Sequence, residues 1–446
     1  MEMNAHNALA KPVTYKNLIH FVLPCIAMMI ITSVYSIVDG FFVSNCVGKN
    51  AFAAVNLIMP VLMGVSCIGF MIGTGGTALV SYCLGAKQQE RANRVFSMLV
   101  EIILIVSVVI AVTCFIMMPQ IVDMLGASPL IREDTIIYGR IVILNEPFFM
   151  MFITLQSFLA AAGKQKLGLY ASISAGITNM VLDFVLLYVF HLDILGAALA
   201  TLISQTAGGI MPFIYFYRPN SSTLRFRWTA IEWQPIKKSC SNGISELLNN
   251  VAVSFVAVLY NFQLMYFAAE NGIAAYGVIM YVSFIFQAVF MGYAVGINPL
   301  VGYKYGAKDK KGLRAVLRKS LILTGITALA MTLLSEISAG FIADIFVGYD
   351  QELWDLTVTG FRIYAVSYLL TGFTIFASAF FTGLNNGKVS AIISVVHTLI
   401  CESLAVLLLP MWLGTLGIWC SISVAELGSI IVSSSLLIYY QKKYGY

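Results

Sequence analysis

The sequence predicts an all-α polytopic membrane protein, with twelve transmembrane helices arranged as two parallel-repeat six-helix bundles. Three observations predict it. Of 446 residues, 59 % are hydrophobic and only 11 % charged, and the mean hydropathy is +0.88, far from the balance of a soluble domain. Twelve apolar runs reach the roughly 20 residues that a helix needs to cross a bilayer. A single offset of 221 residues superposes the motifs of the first half on those of the second.

Taken in order, the predicted spans lie near 17–43, 53–80, 94–118, 136–160, 167–190, 195–217, 239–267, 275–302, 317–343, 357–382, 389–410 and 415–440. The first run is of full length and lacks a small-residue cleavage site, so it is read as the first span and not as a cleaved signal. Of the 26 Lys and Arg, 22 fall in the terminal segments and in alternate loops, among them Lys87, Arg91, Lys164, Arg225, Lys308, Arg314 and Lys442. The opposite loops collect acids such as Asp123, Asp193, Asp344 and Asp350. Both termini are therefore expected in the cytoplasm, with the chain a multi-pass protein of the inner cell membrane. The net charge of +5 is accounted for by orientation, and no nucleic-acid surface is read into it. The eight cysteines show no CxxC spacing and read as free thiols in apolar segments.

The repeat is carried by Tyr82, Gly85, Ala86 and Lys87, which recur as Tyr303, Gly306, Ala307 and Lys308. The same offset relates Lys16 to Lys237, Val95 to Val316, Ser157 to Ser378 and Gly196 to Gly417. Six crossings are an even number, so the second half enters from the same side and the repeats are parallel. Residues 1–217 and 239–446 form the two expected units. The basic run 218–238 links them on the cytoplasmic side, with Trp228 and Trp233 placed to anchor a short interfacial helix.

Against this apolar background the embedded polar residues stand out. Asp39 lies near the end of the first span, and a carboxylate at membrane depth costs about 2.5–3.5 kcal/mol, so it persists where it faces a cavity or a partner. It reads as a proton- or cation-exchange site. Pro24 removes a backbone donor early in the same helix and marks a bending point. Asn179 and Asp183 are four apart on the fifth helix and share a face. Thr201 on the sixth helix and Tyr35, one turn before Asp39, are further candidate partners. Two carboxylates in one low-dielectric pocket do not both ionise cheaply, so one is expected to hold a proton at neutral pH. The same oxygens suit a hard monovalent cation such as sodium. Across the repeat Asp39 maps to Tyr260, Asn179 to Ile400 and Asp183 to Leu404. The polar set therefore belongs to one half alone, as a special task would require and a scaffold need would not.

Glu246 and Glu402, on the seventh and eleventh helices, are candidates for a second cation or substrate site. Glu146 and Glu426 rank below them. Glu101 and Glu336 lie close enough to helix ends to snorkel, as do Arg140 and Arg362. His20, His191 and His397 lack metal-ligand spacing, and no nucleophile, base and oxyanion set assembles, so an enzyme is not expected. Gly73-Thr74-Gly75-Gly76 lacks the ending of a phosphate loop and reads as a close-packing surface. No cofactor is called for beyond H+ or Na+ as the coupling ion.

These residues carry a resemblance. Pro24 with the run VDGFFVSN around Asp39, the loop Gly85-Ala86-Lys87 with its echo, NMVLD at 179–183 and LGAALATLISQ at 195–205 resemble the multidrug and toxic compound extrusion (MATE) family over essentially the whole chain. The resemblance implies two six-helix lobes in a V and export of cationic, amphipathic compounds in exchange for protons or sodium. It also implies an ion-coupling site at Asp39, Asn179, Asp183 and Thr201, and a hinge at Pro24. The expected partners are organic cation substrates and membrane lipid, with the chain acting as a monomer. The chain departs from the family at Gly243-Ile244-Ser245, where a proline is usual, and at Val253, where another branch places an acid. Glu246 inherits no role from that acid. A flippase for lipid-linked saccharides is the second transporter reading, and a membrane enzyme or a non-transporting scaffold represents the other classes.

Overall fold

A computed structural model describes residues 9–446, the side chains at 44, 45, 49, 52 and 270 excepted. The first eight residues of the first expected unit, and the side chains of Ser44 and Asn45 in the VDGFFVSN run, lie outside it. Among the described residues eleven helices are long and apolar enough to span a membrane, and a twelfth span is a pair bent by 46°. They are α1 (Tyr15–Phe42), α2 (Ala53–Gly85), α3 (Gln89–Met124), α4 (Arg132–Ala161), α5 (Gln165–Val189), α6 (Asp193–Tyr217), α7 (Trp233–Ala269), α8 (Asn271–Gly306) and α9 (Lys310–Val347). The bent pair Gln351–Ala365 and Tyr368–Gly383 makes α10, followed by α11 (Gly387–Leu413) and α12 (Thr415–Tyr444). Each matches a run expected from hydropathy.

The repeat extends to backbone conformation. Lys87 and Lys308, one offset apart, both take left-handed φ, at +59° and +53°, where the chain leaves a helix and an αL residue closes its last turn. The two glycines before them make a reciprocal contact. A Cβ on Gly85 would lie 2.0 Å from the Tyr303 carbonyl oxygen, and one on Gly306 would lie 2.0 Å from the Tyr82 carbonyl oxygen. Reciprocity of this kind is what a two-fold axis between parallel repeats produces.

Higher along the same seam a Cβ on Gly75 would meet the Ser239 carbonyl, and one on Gly243 the Met71 carbonyl, at 2.1 and 1.9 Å. A Cβ on Gly292 would come within 2.5 Å of Ile26 Cα. Backbone therefore touches backbone where α1 and α2 cross α7 and α8, as small residues permit between membrane helices. The stretch Gly73–Gly76 packs as expected, with Gly73 against Ser157, Gly75 against Ser239 and Gly76 against Leu99 and Phe158.

The apolar cores show where the halves part. One core runs through both, from Leu79, Phe96 and Phe158 to Ile297, Phe380 and Tyr446, at the end that carries the chain termini. At the far end there are two separate cores. One holds Ile58, Tyr138, Leu187 and Ala197 of the first half, the other Tyr260, Tyr276, Phe361 and Trp419 of the second. The halves are joined at one end and independent at the other, the arrangement of a V that opens away from the termini.

The linker departs from expectation. Residues 219–232 form no helix, and Trp228 and Trp233 are both largely exposed. The run lies extended along α3, held by a stripe at four-residue spacing. Asn93 Oδ1 accepts from Arg225 N at 2.6 Å, Ser97 Oγ from Arg227 N at 3.0 Å, and Glu101 Oε1 from Thr229 N at 2.8 Å. Extended backbone has no internal partners for its amides, and α3 supplies them. Glu101 is accordingly buried, at 4 % exposure, where the sequence placed it snorkelling to water.

Candidate ion-coupling site

α1 directs one face into the first half. Phe21, Met28 and Tyr35 are buried along it, seven residues apart, while Val34 and Phe41 on the other side are exposed. Asp39, one turn beyond Tyr35, continues the buried face, so its carboxylate points into the lobe and away from lipid. Gly176 on α5 receives the Tyr35 ring, 3.3 Å from where its Cβ would be. This contact sets the height at which α1 and α5 face each other.

One turn further along, Asp39 lies against Asn179 and the Asp183 carboxylate at hydrogen-bonding range. Asp183 is fully buried, Asn179 is 2 % exposed and Thr201, on α6, is 8 % exposed. Tyr138 of α4, also fully buried, lies within electrostatic reach of both acids and faces Thr201. The sequence reading brought together Asp39, Asn179, Asp183, Thr201 and Tyr35, and all five converge here. Tyr138 it missed, since a tyrosine in a membrane helix is ordinarily read as an interfacial anchor.

Both acid-bearing helices change winding within a turn after the acid. Val43–Val47 follows α1 as a π-turn, and Phe184–Val189 ends α5 in the same way. Such turns shift the carbonyl register and are enriched at functional sites. Beneath the site the scaffold is bolted by Asn145, which donates to Gln205 and accepts from Thr206 at 3.0 Å, and by Gln156 Nε2 donating to Ser172 at 2.8 Å.

The polar accounting at this site is incomplete. Asp39 Oδ1, both oxygens of Asp183, Asn179 Oδ1, Thr201 Oγ1 and the Tyr138 hydroxyl are buried without a hydrogen-bond partner. Buried polar atoms are nearly always satisfied. Two carboxylates facing each other with no donor between them are satisfied by a proton shared across the pair, or by a cation held among the oxygens. The oxygens of Asp39, Asn179, Asp183 and Thr201 are hard ligands of the kind that suits Na+. Among the described residues no three His, Cys, Asp or Glu side chains converge as for a transition metal.

Pro24 lies between Val22 and Ile26, where a Cβ on Gly296 of α8 would lie 3.0 Å from the Val22 side chain and one on Gly292 2.5 Å from Ile26 Cα. The proline of α1 therefore coincides with its contact on the other half.

The model of the MatE family matches the chain twice, over residues 24–185 and 247–407. The chain belongs to the MatE family. The two matches follow the internal repeat. Among MatE relatives, the multidrug export protein MepA of Staphylococcus haemolyticus is 27 % identical over 92 % of this chain and 90 % of its own. MepA of Staphylococcus aureus is 23 % identical over 96 % and 94 %. A MATE transporter solved in an outward-facing conformation superposes with a TM-score of 0.91 at 21 % identity, covering 98 % of this chain and 97 % of its own. A MATE structure in the straight conformation superposes at 0.92 and 20 % identity, covering 100 % and 99 %. The fold is that of MATE transporters, and the protein is a multi-pass membrane transporter of the multidrug efflux type.

Glu246 and Glu402 lie on α7 and α11 of this MatE chain. Glu246, half-buried on α7 one turn beyond Gly243, is within electrostatic reach of Cys67 on α2, at the vertex of the V. Glu402 lies in the second half beside His397 and Glu426. Glu146 is buried against Ser66 Oγ, with its two oxygens at 3.0 and 3.1 Å. Because that hydroxyl also donates to the Leu62 carbonyl at 2.8 Å, the Ser66–Glu146 contact is best supplied by a protonated Glu146, which reads as a structural bond between α2 and α4.

Proposed function

We propose that the protein is a secondary active antiporter that exports cationic, amphipathic compounds in exchange for H+ or Na+. The pair of buried carboxylates at Asp39 and Asp183, facing each other with no donor between them, carries this reading. Loading the pair with an ion removes the repulsion between α1 and α5 and draws the outer end of α1 inward. The helix bends at Pro24 and slides off Gly292 of the opposing half. An emptied pair is anionic and favours a cationic cargo in the cleft; a loaded pair does not. Because ion and cargo oppose each other, each expels the other as the lobes rock, which is all that exchange requires.

On this reading the transporter works as a monomer in the inner membrane with both termini cytoplasmic, catalyses no bond chemistry and engages no nucleic acid. Glu246 at the vertex and Glu402 on the wall of the second half serve as additional anchors for the cargo's positive charge. A flippase for pyrophosphate-linked saccharides would want cations at those positions. Counterflow of labelled tetraphenylphosphonium in proteoliposomes, under an imposed pH or Na+ gradient, tests the reading. Uptake driven by one gradient supports it and names the ion. Uptake that ignores both gradients contradicts it.

A further inference from the structure

The second half holds a buried polar chain that the coupling site does not use. His397 sits on the π-wound stretch Val395–Glu402 of α11. Its Nε2 lies 2.9 Å from Glu426 Oε1 on α12. The other Glu426 oxygen accepts from Thr374 Oγ1 of α10 at 3.1 Å. On the far side of the ring Nδ1 lies 3.1 Å from Thr398 Oγ1, and that hydroxyl donates to Asn249 Oδ1 on α7 at 3.0 Å. The Glu426 side chain is 1 % exposed and that of His397 15 %, so the carboxylate is buried while the ring keeps some accessible surface.

Counting protons along the chain defines its states. A threonine hydroxyl carries one hydrogen, and an amide oxygen only accepts. With that hydrogen given to Asn249, Nδ1 of His397 must carry its own. The Nε2 to Oε1 contact then holds one further proton, and imidazole and carboxylate together are neutral. Taking one proton away is accommodated by a single rotation. The Thr398 hydroxyl turns to donate to Nδ1, Nε2–H continues to donate to Glu426, and the pair becomes anionic. Asn249 loses its donor. The loaded and unloaded states therefore differ in whether α11 holds α7.

We propose that His397 and Glu426 form a proton-binding site in the second half, and that Thr398 transmits its protonation state to α7 through Asn249. One proton passes between water and the imidazole, and no other group changes charge. The position makes the signal useful. Asn249 lies six residues beyond Gly243, where α7 touches the α2 backbone, so the tie acts on a helix of the inter-lobe seam.

A further acid and phenols from neighbouring helices surround the pair. Glu402, on α11 itself, acts electrostatically on His397 together with Glu426. Tyr260 of α7, Tyr276 of α8 and Tyr364 of α10 surround Glu402 within electrostatic range. One imidazole thus faces two acids among phenols. The fold itself does not need this arrangement. At the repeat-related positions the first half has Gly176 for His397, Ile177 for Thr398, Gln205 for Glu426 and Met28 for Asn249, and it packs six helices without them.

The proposal rests on the transport reading only for its purpose, and its test is independent of Asp39. The chain has four histidines, so ¹⁵N-imidazole labelling of the full-length protein in lipid nanodiscs gives four resonances, with His397 assigned by its loss in His397→Gln. The imidazole is expected to change protonation between about pH 5 and pH 8, in the wild type and equally in Asp39→Asn. Glu426→Gln should lower its midpoint by about one pH unit or more, as removal of a paired carboxylate requires. Thr398→Val should keep the titration but abolish the pH dependence of the mobility of a spin label placed on α7. An imidazole fixed in one protonation state throughout, in both wild type and Glu426→Gln, overturns the site. A label response unchanged in Thr398→Val overturns the relay.

Discussion

The carboxylates of Asp39 and Asp183 meet across the α1–α5 contact with no donor between them. Each comes from a helix whose winding changes within a turn of the acid, so both can shift without unravelling a packed segment. Asp183→Asn replaces one acceptor by an amide that donates to Asp39, supplying permanently what the proposed coupling ion would supply transiently. Coupling between two ligands is ordinarily worth about 1–3 kcal/mol, or roughly 5- to 150-fold in affinity. In this variant the dependence of tetraphenylphosphonium affinity on pH or Na+ should fall to near onefold, read by equilibrium binding to purified protein.

The seam between the halves has no spare volume at Gly243, where an added Cβ would meet the Met71 carbonyl at 1.9 Å. Overpacking of this kind costs about 1–3 kcal/mol. Gly243→Ala should lower the thermal midpoint. Gly64→Ala, where nothing lies within 4 Å, should leave it level or raise it slightly, because alanine restricts the unfolded chain. Thermal unfolding of both variants in the same detergent reads the difference.

Glu101 is buried and accepts from the Thr229 amide. Glu101→Ala strands that amide at a cost of about 1–3 kcal/mol, and the extended linker should lift from α3. Trypsin should then cut after Arg227 faster than in the wild type, with the fragments resolved by mass.

Outside the membrane, Asp309 caps α9 by accepting from Gly312 N at 2.8 Å and pairs with Lys304 at 3.2 Å. Burial pushes its carboxyl up, but the Gly312 amide and Lys304 outweigh this and hold it below the ordinary aspartate range. A carboxyl that is more acidic when folded contributes stability above its unfolded value, about 3.9, and loses it as pH falls through the lower folded value. Asp309→Asn should therefore melt below the wild type at neutral pH, and the gap should close as acidification protonates Asp309, in a pH series of melting curves.

Much of this architecture was legible in the sequence because it is written in long-range composition. Twelve spans follow from hydropathy, and the parallel halves from one offset that recurs in the backbone at Lys87 and Lys308. The buried acids of the first half were legible for a different reason: an acid in an apolar helix is conspicuous. What escaped was pairing between residues far apart in the chain. His397 and Glu426 belong to different helices, and neither signals the other until both are packed against α10. The docked linker was missed although its signal was present, since Asn93, Ser97 and Glu101 make a polar stripe at helical spacing along an otherwise apolar α3. Read residue by residue, Glu101 looked like a snorkelling side chain.

The most direct test replaces the acid of α1 by its isosteric amide and drives transport with an ion gradient. In proteoliposomes, Asp39→Asn should still bind ethidium but should not accumulate it under a pH or Na+ gradient that drives the wild type. Accumulation by Asp39→Asn at the wild-type rate, under the same gradient, would contradict the account.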